Sequence, residues 1–329
     1  MVQGEQMAII RYLFAIEKKP RKGLLAVEWV IMGYLLLTTA LMFFTYTKVH
    51  NPDLMLWGRF RIVAVTLAMW LAYRMVPCRF TRLCRIGAQL ALLSWWYPDT
   101  YEFNRMFPNL DPLFAGYDQQ MFGFQPALLF SQMLSHPVFS ELMHMGYASY
   151  YPLIGLVTFF YFFRRYTEFD RASFIILTAF FVYYVIFIFL PVTGPQYYYL
   201  AAGLDNIAAG IFPNVGDYFA THQESLPIPG YTDGFFYHLV EDAHAAGERP
   251  TAAFPSSHVG ITTILMLLAW KARNRWLFWS MMPFFLLMCF ATVYIQAHYA
   301  IDVIGGLVSG VAIYAVLHFL GGKICEFRK

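Results

Sequence analysis

The sequence predicts an all-α protein, a polytopic membrane helix bundle of about eight transmembrane helices with a six-helix catalytic core. Three observations predict it. The 329 residues are 59% hydrophobic and 19% aromatic, and only 13% are charged, about half the share in a soluble domain. Mean hydropathy is +0.50. The apolar residues fall into runs near the length a bilayer crossing needs, about 20 residues. A net charge of +3 is too small to suggest nucleic acid as a partner.

The runs lie at 24–45, 60–77, 84–97, 138–163, 172–192, 257–270, 276–296 and 301–321. The first is too long for the core of a cleavable signal, and no small-residue cleavage site follows it. With the N-terminus inside, alternation puts all but five of the 23 basic residues on one side. They sit in the N-terminal segment (Arg11 to Lys22), around Arg74 to Arg85, at Arg164, Arg165 and Arg171, at Lys271, Arg273 and Arg275, and in the tail at Lys323, Arg328 and Lys329. The exceptions are Lys48, Arg59, Arg61, Arg105 and Arg249. Excess Lys and Arg mark the cytoplasmic side, so both termini are expected there. Cys78, Cys84 and Cys325 then face the reducing side and Cys289 lies within a span, so no disulfide is expected.

Two long connections fall outside. Residues 98–137 mix turn residues with an apolar tail and are expected to lie along the membrane interface. Residues 193–256 are rich in Gly, Pro, Asp and Tyr, and a connection of that length is usually functional or disordered. The chain divides into 1–137, N-terminal spans plus the interfacial segment, and 138–329, the catalytic core. The outer connections hold no Asn-x-Ser/Thr sequon, which favours a bacterial inner membrane with a periplasmic site.

Three polar clusters interrupt the apolar runs: TGPQYYY (193–199), FPSSH (254–258) and HYAIDVIGG (298–306). The alternation puts all three on the outer face. His298 and Asp302 are four residues apart and share a helix face. An Asp there can accept from a histidine Nδ1–H, which leaves the Nε2 lone pair aimed outward and makes the histidine a candidate nucleophile. A capping or purely structural pair is the alternative. Pro255 suits a first helical turn, Ser256 an N-cap with Ser257 beside it, and His258 follows. Helix amides, hydroxyls and an imidazole together can hold a phosphate and protonate a leaving oxygen; a plain helix start is the alternative. No divalent-metal spacing appears, so no metal or other cofactor is expected.

Pro255-Ser256-Ser257-His258 and His298-x-x-x-Asp302 resemble the second and third motifs of the type-2 phosphatidic acid phosphatase superfamily of membrane lipid phosphatases and phosphotransferases. The resemblance covers roughly 140–320. It implies that His298 attacks phosphorus, that Asp302 orients it, and that His258 protonates the leaving alkoxide. Two family cations are replaced: Thr292 stands six residues before His298, and Gly194-Pro195-Gln196 carries no Lys or Arg. The branch that lacks those cations, the inositol phosphorylceramide synthases and their bacterial relatives, is similar also in its Tyr-rich helix (Tyr147 to Pro152) and its Gly-Pro followed by aromatics. Phosphate binding then falls to another donor set, drawn from Arg249, Gln196, Tyr197 or Arg105. His144, one turn from Tyr147, lines the site or bonds that tyrosine.

The resemblance implies a phospholipid or sphingolipid as substrate. The acceptor is either another lipid's hydroxyl, giving a headgroup transferase, or water, giving a phosphatase. A non-catalytic transporter or lipid-binding relative is the third reading. His318 reads as structural, Glu28 as snorkelling at the inner boundary, and the Phe/Tyr-rich run of span five as lipid-facing and packing surface. Oligomeric state is not legible.

Overall fold

The computed structural model describes residues 2–247 and 249–326; Met1, Glu248, Arg328 and Lys329 lie outside the described residues, as does Phe327. Every named element is a helix: α1 (Val2–Leu13), α2 (Ala26–Phe44), α3 (Pro52–Met75), α4 (Arg79–Asn104), α5 (Asp111–Phe122), α6 (Pro126–Met133), α7 (Pro137–Ala148) and α8 (Tyr150–Arg164) come first. They are followed by α9 (Tyr166–Phe189), α10 (Pro195–Ala202), α11 (Leu204–Ala208), α12 (Tyr218–Thr221), α13 (Phe235–Gly247), α14 (Ser257–Lys271), α15 (Arg275–Tyr294) and α16 (Ala300–Glu326). Among the described residues, five of them are long and apolar enough to cross a membrane: α2, α3, α9, α15 and α16. This is an all-α polytopic bundle.

The remaining three apolar runs form helices that fall short for separate reasons. α4 carries Arg79, Arg82, Arg85, Asp99 and an internal Pro98. The 138–163 run is broken at Ser149 into α7 and α8. Pro152 causes the break, because it has no N–H to return to the Ala148 carbonyl; the Ser149 hydroxyl bonds Gly146 O at 2.6 Å instead. α14 has 15 residues, about 22 Å of helix, shorter than the hydrocarbon core.

Two expectations about the bundle are corrected. The Phe/Tyr-rich run is α9, and 78% of its apolar window is buried inside the protein, so it is packing surface, as expected, but little of it is lipid-facing. Glu28 does not snorkel. It is fully buried, pairs with the fully buried Arg85, and accepts the Leu25 N–H at 2.8 Å. A carboxylate that deep needs its charge matched, and Arg85 reaches across from α4 to do so.

The packing of α14 on α16 sets the site. A Cβ on Gly306 would lie 2.6 Å from the Ser256 carbonyl oxygen, and one on Gly310 would lie 2.7 Å from that of Gly260. The two helices approach this closely only because both positions lack a side chain. Gly306→Ala is therefore expected to cost about 1–3 kcal/mol and to lower the melting midpoint in detergent. Gly33, with nothing within 4 Å, is the control: Gly33→Ala should melt no lower than the parent.

The bundle has two chemically distinct ends. At one, Arg82 bonds Glu17 at 2.7 Å and Asp170 at 3.0 Å, Arg165 donates to Ala272 O at 2.6 Å, and Arg171 donates to His318 O at 2.6 Å. These bonds gather the basic connections. At the other end the polar clusters meet. Ala253 N–H donates to Val192 O at 3.0 Å, Ser256 N–H to Asp302 O at 3.0 Å, and Gln196 N–H to Gln296 O at 2.9 Å.

Candidate active site

The α14 start is built as a capped helix. Ser256 is its N-cap, and its hydroxyl accepts the Val259 N–H at 3.4 Å. Pro255 and Ser256 are buried, whereas Ser257 and His258 are half-buried. The Thr262 hydroxyl donates to His258 O at 2.6 Å. The His258 imidazole packs against two aromatic rings, with its centroid 4.6 Å from Tyr147 and 4.4 Å from Tyr150. This places Tyr147 in the site, on the last turn of α7.

His298 sits just before α16 and is 3% exposed. Its ring centroid is 5.7 Å from that of His258, although 40 residues separate them in sequence. Its Nδ1 lies 2.8 Å from Ala253 O and 3.5 Å from Asp302 Oδ2. The closer acceptor is thus a backbone carbonyl, not the carboxylate that the spacing suggested. Asp302 is turned by a nearer donor, the Tyr299 N–H at 2.8 Å. With two acceptors facing it, Nδ1 is the ring nitrogen placed to donate.

The other predicted binding residues divide. Gly194 has φ +98°, and a Cβ there would meet Ala297 O at 2.7 Å, so only glycine suits this turn. Gln196 is buried and its side-chain amide donates to Leu226 O at 2.7 Å; it anchors the outer connection. Tyr197 is buried in a cluster with Phe114, Tyr199 and Tyr299. Arg105 bonds Glu102 at 3.1 Å, Ala220 O at 3.1 Å and His50 Nδ1 at 2.7 Å, so it is committed elsewhere. Arg249 is half-buried on the connection into α14. His144 is fully buried; its Nδ1 bonds Ser140 O at 2.8 Å, and its ring packs on Tyr237 and Tyr294.

Two carboxylates that sequence reasoning passed over hold the site together. Asp111 is fully buried. Its Oδ2 accepts from Thr193 N–H at 2.7 Å, Thr193 O–H at 2.9 Å and Asn109 Nδ2 at 2.6 Å. Its Oδ1 accepts from Gly194 N–H at 2.8 Å and Tyr299 O–H at 2.9 Å. Asp118 accepts from Ala300 N–H and Ile301 N–H, both at 2.9 Å, and so caps α16 from another segment. Burial pushes both carboxyls above their ordinary range, and the amide donors pull them back. Their signal was a seven-residue spacing between the two carboxylates of α5, which puts both on one helix face. The opposite face of α5 exposes Leu113, Tyr117 and Met121.

The fold and this site define a polytopic helical membrane protein with two histidines facing each other at one end of the bundle. Residues 113–316 match the PAP2 superfamily, and the chain belongs to that superfamily. Membership supports a phosphatase or phosphotransferase type of function. No curated protein and no solved structure matches the chain. The family match opens within α5, so it takes in Asp118 together with Ser256, His258, His298 and Asp302.

Proposed function

We propose that the protein is a membrane lipid phosphotransferase of the inositol phosphorylceramide synthase type, working through a phosphohistidine. The observation that carries this reading is the 5.7 Å approach of His258 and His298, with His258 in the first turn of α14, where helix amides favour an anion. His298 Nε2 forms the N–P bond as the bond from phosphorus to the leaving alkoxide breaks. His258, protonated, gives that alkoxide its proton. The neutral His258 then takes a proton from the acceptor hydroxyl, whose oxygen attacks phosphorus and releases His298. Asp302 and Ala253 O hold the His298 tautomer. Ser256, Ser257, Gly194 and the half-buried Arg249 surround the phosphate, Arg249 supplying the counter-charge that Thr292 and Gln196 do not. The functional core runs from α5 onward. The site faces the periplasm of a bacterial inner membrane, with both termini cytoplasmic.

Transfer to a lipid hydroxyl is favoured over hydrolysis by the tyrosine walls. Tyr147 and Tyr150 pack their rings against His258, 4.6 and 4.4 Å between centroids, which limits water at the base that must activate the acceptor. Purified protein given a labelled phospholipid panel, with and without ceramide or diacylglycerol, separates the readings. A new phospho-headgroup lipid that needs the added acceptor is the expected product. Free phosphate alone, lost in His298→Ala, would make the enzyme a phosphatase. Identical behaviour of wild type and His298→Ala would make the chain a non-catalytic relative.

A further inference from the structure

A cavity of about 590 Å³ opens at the basic end, between α8 and the α14–α15 turn, lined by Phe160, Arg164, Arg165, Arg273, Trp276 and Leu277 among others. It lies beyond the C-terminal end of α14, about 20 Å along that helix from His258. Its size is in the range of small-ligand sites. One wall is apolar and one is cationic. Arg165 is partly committed, to Ala272 O at 2.6 Å and Glu168 at 3.2 Å, so it leaves little net charge. Arg164 and Arg273 are both exposed and carry the positive charge of the mouth.

The backbone supplies an independent observation. Arg273 follows the α14 C-cap and has φ +52°. That left-handed position is the one helices usually fill with glycine, because a side chain there is strained. The chain instead places a guanidinium at this point, on the rim of the cavity. Trp276, 88% exposed, and Trp279, 64% exposed, stand on the same turn of chain. Exposed tryptophans gather at headgroup level, so the mouth sits where lipid phosphates lie.

We propose that this cavity holds the phosphate headgroup of an anionic phospholipid in the leaflet opposite the catalytic histidines. Arg164 and Arg273 pair with the phosphate as planar, multi-donor cations. The acyl chains descend along Phe160, Trp276 and Leu277. A free phosphate ion shares the headgroup chemistry but gains nothing from the apolar wall.

The test uses full-length protein in neutral detergent, carrying His298→Ala so that the probe is not consumed. The probe is phosphatidylglycerol with a fluorescent label on its chain, compared with identically labelled phosphatidylcholine and with competition by inorganic phosphate. Arg164→Gln and Arg273→Gly are each expected to weaken phosphatidylglycerol binding about tenfold, with little change for phosphatidylcholine. Binding at the catalytic end is common to parent and variants and cancels. Arg273→Gly also relieves the left-handed strain, so it should melt no lower than its parent, and a loss of binding is then not a loss of fold. Equal affinities in parent and variants would overturn the site. Equal affinity of the parent for the two lipids would overturn its anion selectivity, and displacement by millimolar inorganic phosphate would make it a soluble-anion site.

Discussion

His298→Ala is expected to remove turnover on every phosphate ester, by on the order of 10⁴-fold or more, while His258→Ala discriminates between leaving groups. The two histidines are 5.7 Å apart but differently held. His298 is 3% exposed and fixed at Nδ1 by Ala253 O, which suits an atom that must attack in line from one direction. His258 is half-buried against tyrosine rings and suits a group that exchanges protons with incoming and outgoing oxygens. An alkoxide leaves only with a proton, so His258→Ala should cost about 10²–10⁴-fold on an alkyl phosphate. A nitrophenolate leaves without one, so the same variant should lose far less on an aryl phosphate. His298→Ala has no such escape, because both esters need the nucleophile. Rates for both variants on both ester classes, with melting midpoints as the check on folding, decide the roles. Aryl phosphate turnover within tenfold of wild type in His298→Ala would remove His298 as nucleophile.

What the sequence made legible was local, and what it hid was distant. Pro255 to His258 reads as a helix start from four adjacent residues, and His298 and Asp302 are close enough in the chain for their spacing alone to bring the two side chains near each other. The structure joins some of the basic connections that the charge alternation put on one side, through Arg82 with Asp170 and Arg165 with Ala272. Asp111 stayed hidden because its partners are remote in the chain: Thr193 is 82 residues away and Tyr299 is 188. The Ala253 carbonyl was equally invisible, since every residue has one and only the fold aims it at His298. Glu28 looked like a boundary charge until Arg85, 57 residues on, was placed against it. The burial of α9 was concealed for a different reason. A helix apolar all round reads the same whether lipid or protein surrounds it, because lipid tails are as apolar as leucine.

Asp111→Ala is expected to disorder the catalytic end while leaving the basic end intact. The substitution strands the Thr193 and Gly194 amides and the Thr193 and Tyr299 hydroxyls, all of which now donate to this one buried carboxylate. Each stranded donor costs about 1–3 kcal/mol where water does not reach it, and a whole domain has only about 5–15 kcal/mol in hand. The loss is local, since the bonds join the α9–α10 turn to the residues next to His298. Displacement of a reacting group by about 1 Å is enough to cost roughly 10²-fold in rate, so activity should fall at least that far. Asp111→Asn keeps one acceptor oxygen but turns an NH2 toward N–H or O–H donors, so it should recover only part of the loss. Hydrogen exchange read by segment separates this positioning role from general instability. Exchange at 193–198 and 298–302 should accelerate in Asp111→Ala, with 264–272 at the far end of α14 unchanged. Uniform acceleration along the chain would reduce Asp111 to an ordinary core residue. Wild-type exchange and activity in the variant would show that the α9–α10 turn and the residues before α16 hold their places without it.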